Sequence, residues 1–275
     1  MSAAERQFPN PSASSTPWIG LAEGVFNDLA SRWNTTQCGG GLKWQWVTTN
    51  AGYDYKSSIT NGGFFQLSAR LARYTGNSTY SDWAQKEWDW MTAIGLIDSA
   101  FHVYDGSNDL INCTQVDGSQ WSYNMGVFLY GSAVMSNITG PNPVWRDRTK
   151  GLLTTATSTF FSPFTNSTNV MYEYQCEKFD KCNNDQFSFK AYLGRWMIAS
   201  AQMVPELYTT IMSLAAPSAK SAAAACSGDQ SACGTKWYVG GFDGITGVGQ
   251  QLSALENIQG LLVSSAPPPV IVHGT

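Results

Sequence analysis

Apolar positions along this chain recur at helical spacing. From Asn61 onward, Phe64, Leu67, Leu71 and Tyr74 fall at i, i+3, i+7 and i+10, which places them on one face of an α-helix. Trp83, Trp90 and Ile94 continue the pattern on the following segment. It restarts at Asp185 and Gln186 with Phe189, Tyr192, Leu193, Trp196 and Met197, and again after the glycine-rich stretch 244–249 with Leu252, Leu255, Ile258 and Leu261. Further helices are predicted over 17–33, 143–158 and 205–226. Alternating runs such as 44–48 are short and stand between glycine-rich turns, so little strand is expected.

The predicted inner-helix starts at Asn61, Asn124, Asp185 and Gly247 are 63, 61 and 62 residues apart. That interval holds two helices and their loops, so the repeating unit is a helical hairpin. Hairpins of this kind either stack as a solenoid or close into a ring whose inner helix ends surround a pocket.

Composition narrows the setting. The chain has 275 residues, 43% of them hydrophobic, with 11 Trp, 12 Tyr and 13 Phe. A net charge of -4 and a pI near 5.1 give no basic footprint for nucleic acid. Only 13% of residues are charged, against about 25% in ordinary soluble domains, which suits an extracellular glycosylated protein. Acceptor motifs for N-linked glycans occur at Asn34, Asn77, Asn112, Asn137 and Asn166. The six cysteines, Cys38, Cys113, Cys176, Cys182, Cys226 and Cys233, lack the spacing of a zinc site, and only His102 and His273 could add imidazole, so neither metal nor cofactor is expected. Of the 15 possible pairings, proximity favours Cys176 with Cys182 and Cys226 with Cys233, leaving Cys38 for Cys113. The start at Met1 shows no apolar export signal, and residues 264–275 read as the beginning of a Pro/Ser linker or tail without a lipid-anchor signal.

The most specific blocks are CGGGLKWQ at 38–45, NGGFF at 61–65, LARYTG at 71–76 and WAQKEWDWM at 83–91. They are followed by YDG at 104–106, QWSYNMGVF at 120–128, NDQFSFK at 184–190 and GITGVGQQ at 244–251. In this order the chain, over about 17–263, resembles glycoside hydrolase family 76, in particular its fungal cell-wall branch. The resemblance implies an all-α (α/α)6 toroid, with residues 1–263 forming a partial mannanase-like domain of about four to five hairpins. It also implies a cleft for α-1,6-linked mannan or mannosylated glycans, and a retaining hydrolase or transglycosylase for which wall glucan is a possible acceptor. A secreted or cell-wall location follows, with the membrane reached only through a lipid anchor outside this chain. A non-catalytic carbohydrate-binding or wall-structural protein is the alternative.

The family's catalytic signature is an adjacent pair of aspartates opening an inner helix. No two acidic residues are adjacent in this sequence. One interval back from Asn61 falls just before Met1, so the pair is expected upstream, and the chain alone is expected to be inactive and to expose apolar helix faces.

Within the matching blocks, Trp44, Tyr53, Trp121 and Tyr123 are candidates for stacking on sugar rings. Gln45, Lys56, Asn61, Asn124, Asp185 and Gln186 are candidates for sugar hydroxyls. Asn61, Asn124 and Asp185 are also natural helix N-caps. Asp105 and Asp243, in Tyr-Asp-Gly and Phe-Asp-Gly contexts, read first as turns. Trp83, Trp88 and Trp90 read as core, His102 as a loop residue, and Gly62, Gly63 and Gly126 as sites of close backbone approach.

Overall fold

A computed structural model describes residues 1–272 other than Pro11 and Ala13; His273 lies outside the described residues. Helices dominate. After a stub α1 (Ser2–Glu5) come α2 (Trp18–Ser31), α3 (Ser58–Thr75), α4 (Ser78–Ala93), α5 (Ser122–Thr139), α6 (Pro143–Phe160), α7 (Phe189–Met203), α8 (Tyr208–Ala225) and α9 (Val248–Gly260). Helices α3, α5, α7 and α9 pack side by side as an inner row. Helix α2 backs α3, α4 backs α3, α6 backs α5, and α8 backs α7 and α9. The eight long helices thus amount to three complete hairpins flanked by a lone outer α2 and a lone inner α9.

Helix α5 sits in the middle of the row and is buried nearly all round, from Asn124 to Ser136. Its apolar residues therefore encircle it instead of forming one stripe. The inner helices approach closely through glycines. A Cβ on Gly62 would stand 2.4 Å from Val127 Cγ1 of α5, one on Gly126 would stand 2.9 Å from Leu193 Cα of α7, and one on Gly194 would stand 2.5 Å from Asn257 of α9. Gly63, by contrast, has no neighbour within 4 Å of such an atom.

Short turns join inner to outer helices at one end of the arc, at 76–77, 140–142 and 204–207. Long loops, 32–54, 94–121, 161–188 and 226–247, gather at the other, where the inner helices begin. Three short strands brace these loops. β1 (Tyr55–Ser57) pairs antiparallel with β2 (Gly106–Asn108), which pairs antiparallel with β3 (Val116–Asp117). The segment 44–48 forms no strand; the sheet uses residues nearby that alternation does not mark. The three disulfides are Cys38–Cys113, Cys176–Cys182 and Cys226–Cys233.

The arc leaves apolar surface at both ends. Leu21 and Val25 of α2, and Val248, Leu255 and Ile258 of α9 with Leu262 beyond it, are exposed. Residues 265–272 are a strap and not a free linker. The Val270 amide donates to the Glu5 carbonyl at 3.0 Å and the Val272 amide to the Tyr74 carbonyl at 2.9 Å. Arg73 Nη1 donates to the Pro269 carbonyl at 3.0 Å, and Gln202 Nε2 to the Ala266 carbonyl at 3.0 Å. No described helix is long and apolar enough to cross a membrane.

Candidate sugar-binding cleft

At the long-loop end, three adjoining hollows of about 390, 480 and 500 Å³ share Trp44 as a common wall. The first is lined by Lys43, Gln45 and Tyr53, the second by Tyr53, Asp54, Asp105 and Tyr123, and the third by Tyr123, Asp185, Phe189 and Trp196. Trp44 is half exposed, and its ring lies over Gly52, whose φ of +82° and lack of a Cβ allow that approach. Tyr123, in the first turn of α5, stacks on Phe189 at the start of α7 with centroids 3.9 Å apart and planes 6° apart. Trp121 meets the same Phe189 edge-on at 5.7 Å. Lys43 Nζ stands 3.9 Å above the Tyr53 ring and pairs with the buried Asp109 at 2.8 Å, so its charge is spent locally.

Asp105 is the residue the sequence undervalues. Its Oδ2 accepts from the Tyr55 hydroxyl at 2.9 Å and its Oδ1 from Asn124 Nδ2 at 3.1 Å, while its backbone pairs with Ser58 and Asp117. Burial lifts its carboxyl above the usual range despite the two donors. Burial, with the negative charges of Asp105, Glu173 and Asp185, likewise raises the Tyr123 phenol, so this hydroxyl stays protonated and able to donate. The local sequence, a turn glycine after an aspartate, hides a contact made across 50 residues.

Several expected roles are corrected. Lys56 does not reach the cleft; it is wholly buried, and Nζ donates to the carbonyls of Asn34 at 3.1 Å, Gln37 at 2.9 Å and Gly40. Asn61 is neither a cap nor cleft-facing. Ser57 caps α3, and Asn61, fully buried, accepts from the Leu42 amide at 2.7 Å and donates to the Leu42 and Ser57 carbonyls. Asn124 is buried behind Asp105, one position after the residue that faces the cleft. The inward-pointing faces of α3 and α5 explain both, because the cap position lies three or more residues earlier than the spacing implies.

Asp185 makes no side-chain cap either. Asn183 Oδ1 accepts from the Asp185 and Gln186 amides instead, leaving the exposed Asp185 carboxylate lining the cleft. Gln186 is turned away, its Oε1 accepting from the Asn183 amide at 2.9 Å. Gln45 Oε1 accepts from Asn50 Nδ2 at 3.2 Å at the cleft margin. Asp243 accepts from the amides of Thr235 and Lys236, and His102 Nδ1 lies 2.9 Å from Asp98; both order loops outside the cleft.

The cleft therefore offers aromatic faces interleaved with carboxylates at Asp54, Asp105 and Asp185. The second and third hollows have no cation among their lining residues. Such a surface repels anions and suits a neutral ligand with many hydroxyls and apolar C–H faces.

Residues 1–272 match the sequence model of glycosyl hydrolase family 76. The chain belongs to that family. Its relatives include the mannan endo-1,6-alpha-mannosidase DCW1 of Saccharomyces cerevisiae, 45% identical over 98% of this chain and 59% of the relative. Another is the mannan endo-1,6-alpha-mannosidase DFG5 of Candida albicans, 42% identical over 99% of this chain and 59% of the relative. The chain thus spans about three fifths of the length of these curated relatives. Among solved structures, Dfg5 from Chaetomium thermophilum, crystallised with glucosamine, superposes with a TM-score of 0.91 at 40% identity over 98% of this chain and 67% of that one. The α-1,6-mannanase of Salegentibacter shares the fold, with a TM-score of 0.69 at 17% identity over 89% of this chain and 69% of that one. An inactive variant of that enzyme, with two consecutive aspartates replaced, was crystallised with α-1,6-mannotriose.

Proposed function

We propose that the protein to which this chain contributes acts on α-1,6-linked mannose chains of fungal wall glycans, as a retaining hydrolase or transglycosylase, and that residues 1–275 supply a sugar-binding wall of its cleft. The observation that carries this reading is the trough along Trp44, Tyr123, Asp105 and Asp185, which alternates ring faces with hydrogen-bond acceptors and holds no free cation. The C–H faces of a mannose unit pack on Trp44 and Tyr123, while its hydroxyls donate to Asp105 and Asp185. The names of the curated relatives support the substrate class.

Retaining chemistry requires a nucleophilic carboxylate and an acid/base carboxyl about 5 to 5.5 Å apart across the scissile bond. Asp105 is engaged by Tyr55 and Asn124, and no adjacent acidic pair exists in these residues. We therefore assign binding and orientation to the trough residues, and the reacting pair to residues outside the trough. Water or a glucan hydroxyl then attacks the same covalent intermediate, giving hydrolysis or transfer. Three disulfides fit an oxidising compartment and hence export to the wall.

Titration calorimetry with α-1,6-mannotetraose tests the assignment. Trp44→Ala and Asp105→Asn should each weaken binding about tenfold, the equivalent of about 1.4 kcal/mol, without unfolding the chain. Unchanged affinity in both variants would remove the trough as the binding wall. Release of mannose products by the 275-residue chain itself would show that the reacting groups are here after all.

A further inference from the structure

A fourth hollow, about 660 Å³, lies between the loops 161–188 and 226–247 and shares no lining residue with the cleft. Its walls include Phe164, Asn166, Lys178 and Tyr238. Phe164 is half exposed, 5.3 Å from Tyr238 between ring centroids and inclined at 62°. Lys178 Nζ stands 4.9 Å from the centres of both Phe164 and Tyr172.

This aromatic shelf belongs to a turn that presents an acceptor asparagine. The Ser167 amide donates to the Phe164 carbonyl at 3.0 Å, and the Phe164 amide donates to Ser167 Oγ at 3.1 Å. This fixes Phe164 two residues before Asn166, which is exposed and followed by Ser167 and Thr168, the acceptor pattern. The amide of Asn137 contrasts with it. There Nδ2 donates to the Met203 carbonyl at 3.1 Å and Oδ1 accepts from Arg73 Nε at 2.9 Å, so a substituent on Nδ2 would displace a bond inside the short-turn end.

We propose that Asn166 carries an N-linked glycan whose first N-acetylglucosamine packs on the Phe164–Tyr238 shelf. Asn166 Nδ2 forms a bond to C1 of the sugar as the C1–O bond to a lipid-linked oligosaccharide diphosphate breaks. The amide loses a proton, and the lipid diphosphate leaves with the bonding electrons. Once the chain folds, the sugar's apolar face covers a ring that would otherwise stay half exposed, so the modification stabilises the turn where loop 161–188 faces loop 226–247.

The full-length protein made in a eukaryotic secretory host provides the test. Glycopeptide mass spectrometry should find Asn166 occupied and Asn137 empty in the folded product. Asn166→Gln should lower Tm by about 2–4 °C, whereas trimming the glycan to its first N-acetylglucosamine should leave Tm within about 1 °C. In a Phe164→Ala background the same Asn166→Gln change should have no effect beyond about 1 °C; Tyr238→Ala gives a second such background should the first fail to fold. An unoccupied Asn166, or an equal loss in every background, would overturn the proposal.

Discussion

The adjacent glycines of α3 should respond to the same substitution with opposite signs. Both lie in a helix interior, where Ala is favoured over Gly by about 0.8–1.0 kcal/mol. At Gly63 a methyl group meets open space, so Gly63→Ala should raise stability by about that amount, or about 2–4 °C in Tm. At Gly62 the new Cβ would lie 2.4 Å from Val127 Cγ1 and 2.8 Å from Phe128 Cε2. Relieving both contacts requires a movement of more than about 1 Å by side chains in the most buried inner helix, and overpacking of this kind costs about 1–3 kcal/mol. The close double contact argues for the upper end, which leaves a net loss of about 2 kcal/mol. Urea unfolding followed by tryptophan fluorescence reads both changes as shifts in midpoint at constant slope. Equal effects of one sign would refute the claim that Gly62, and not Gly63, lies at the close approach of α3 to α5.

Three other outcomes follow from single features. Glu173 is buried against Ser122 and burial pushes its pKa up to about 8; the folded state keeps a proton that the unfolded chain releases near pH 4.5, so this contribution is complete below that pH and is lost as pH rises toward 8. The urea midpoint should fall across that window, and Glu173→Gln should make the fall shallower. Replacing Cys38 and Cys113 by Ser opens a link between residues 75 apart, and differential scanning calorimetry should register a loss of about 4 kcal/mol. Arg73→Ala removes the donor to Pro269 and the bond to Asn137, with an expected cost of about 2–3 kcal/mol; limited proteolysis should then cut the 265–272 strap first.

Much of the architecture was legible because the repeat writes itself in residue size and spacing. Of the glycines read as sites of close approach, Gly62 and Gly126 do lie where inner helices touch and Gly63 does not, and Trp88 and Trp90, read as core, are buried in α4. Of the cleft, Trp44, Tyr53, Tyr123 and Asp185 line the hollows, whereas Lys56, Asn61 and Asn124 face inward. Spacing identifies the turn of helix that opens at the cleft but not which side chain points into it, and a shift of one position exchanges Tyr123 for Asn124. Asp105, read first as a turn, was undervalued for another reason. Its partners Tyr55 and Asn124 lie 50 and 19 residues away, and strands of two or three residues leave no periodic trace.

The strap has a consequence for the order of assembly. Each hairpin contacts mainly its sequence neighbours, so the arc can form progressively as the chain emerges, with little loop-closure entropy at each step. The bond from Val270 to Glu5 spans nearly the whole chain. It can close only after α9 is made, so residues 265–272 dock as a report that every preceding hairpin has found its place.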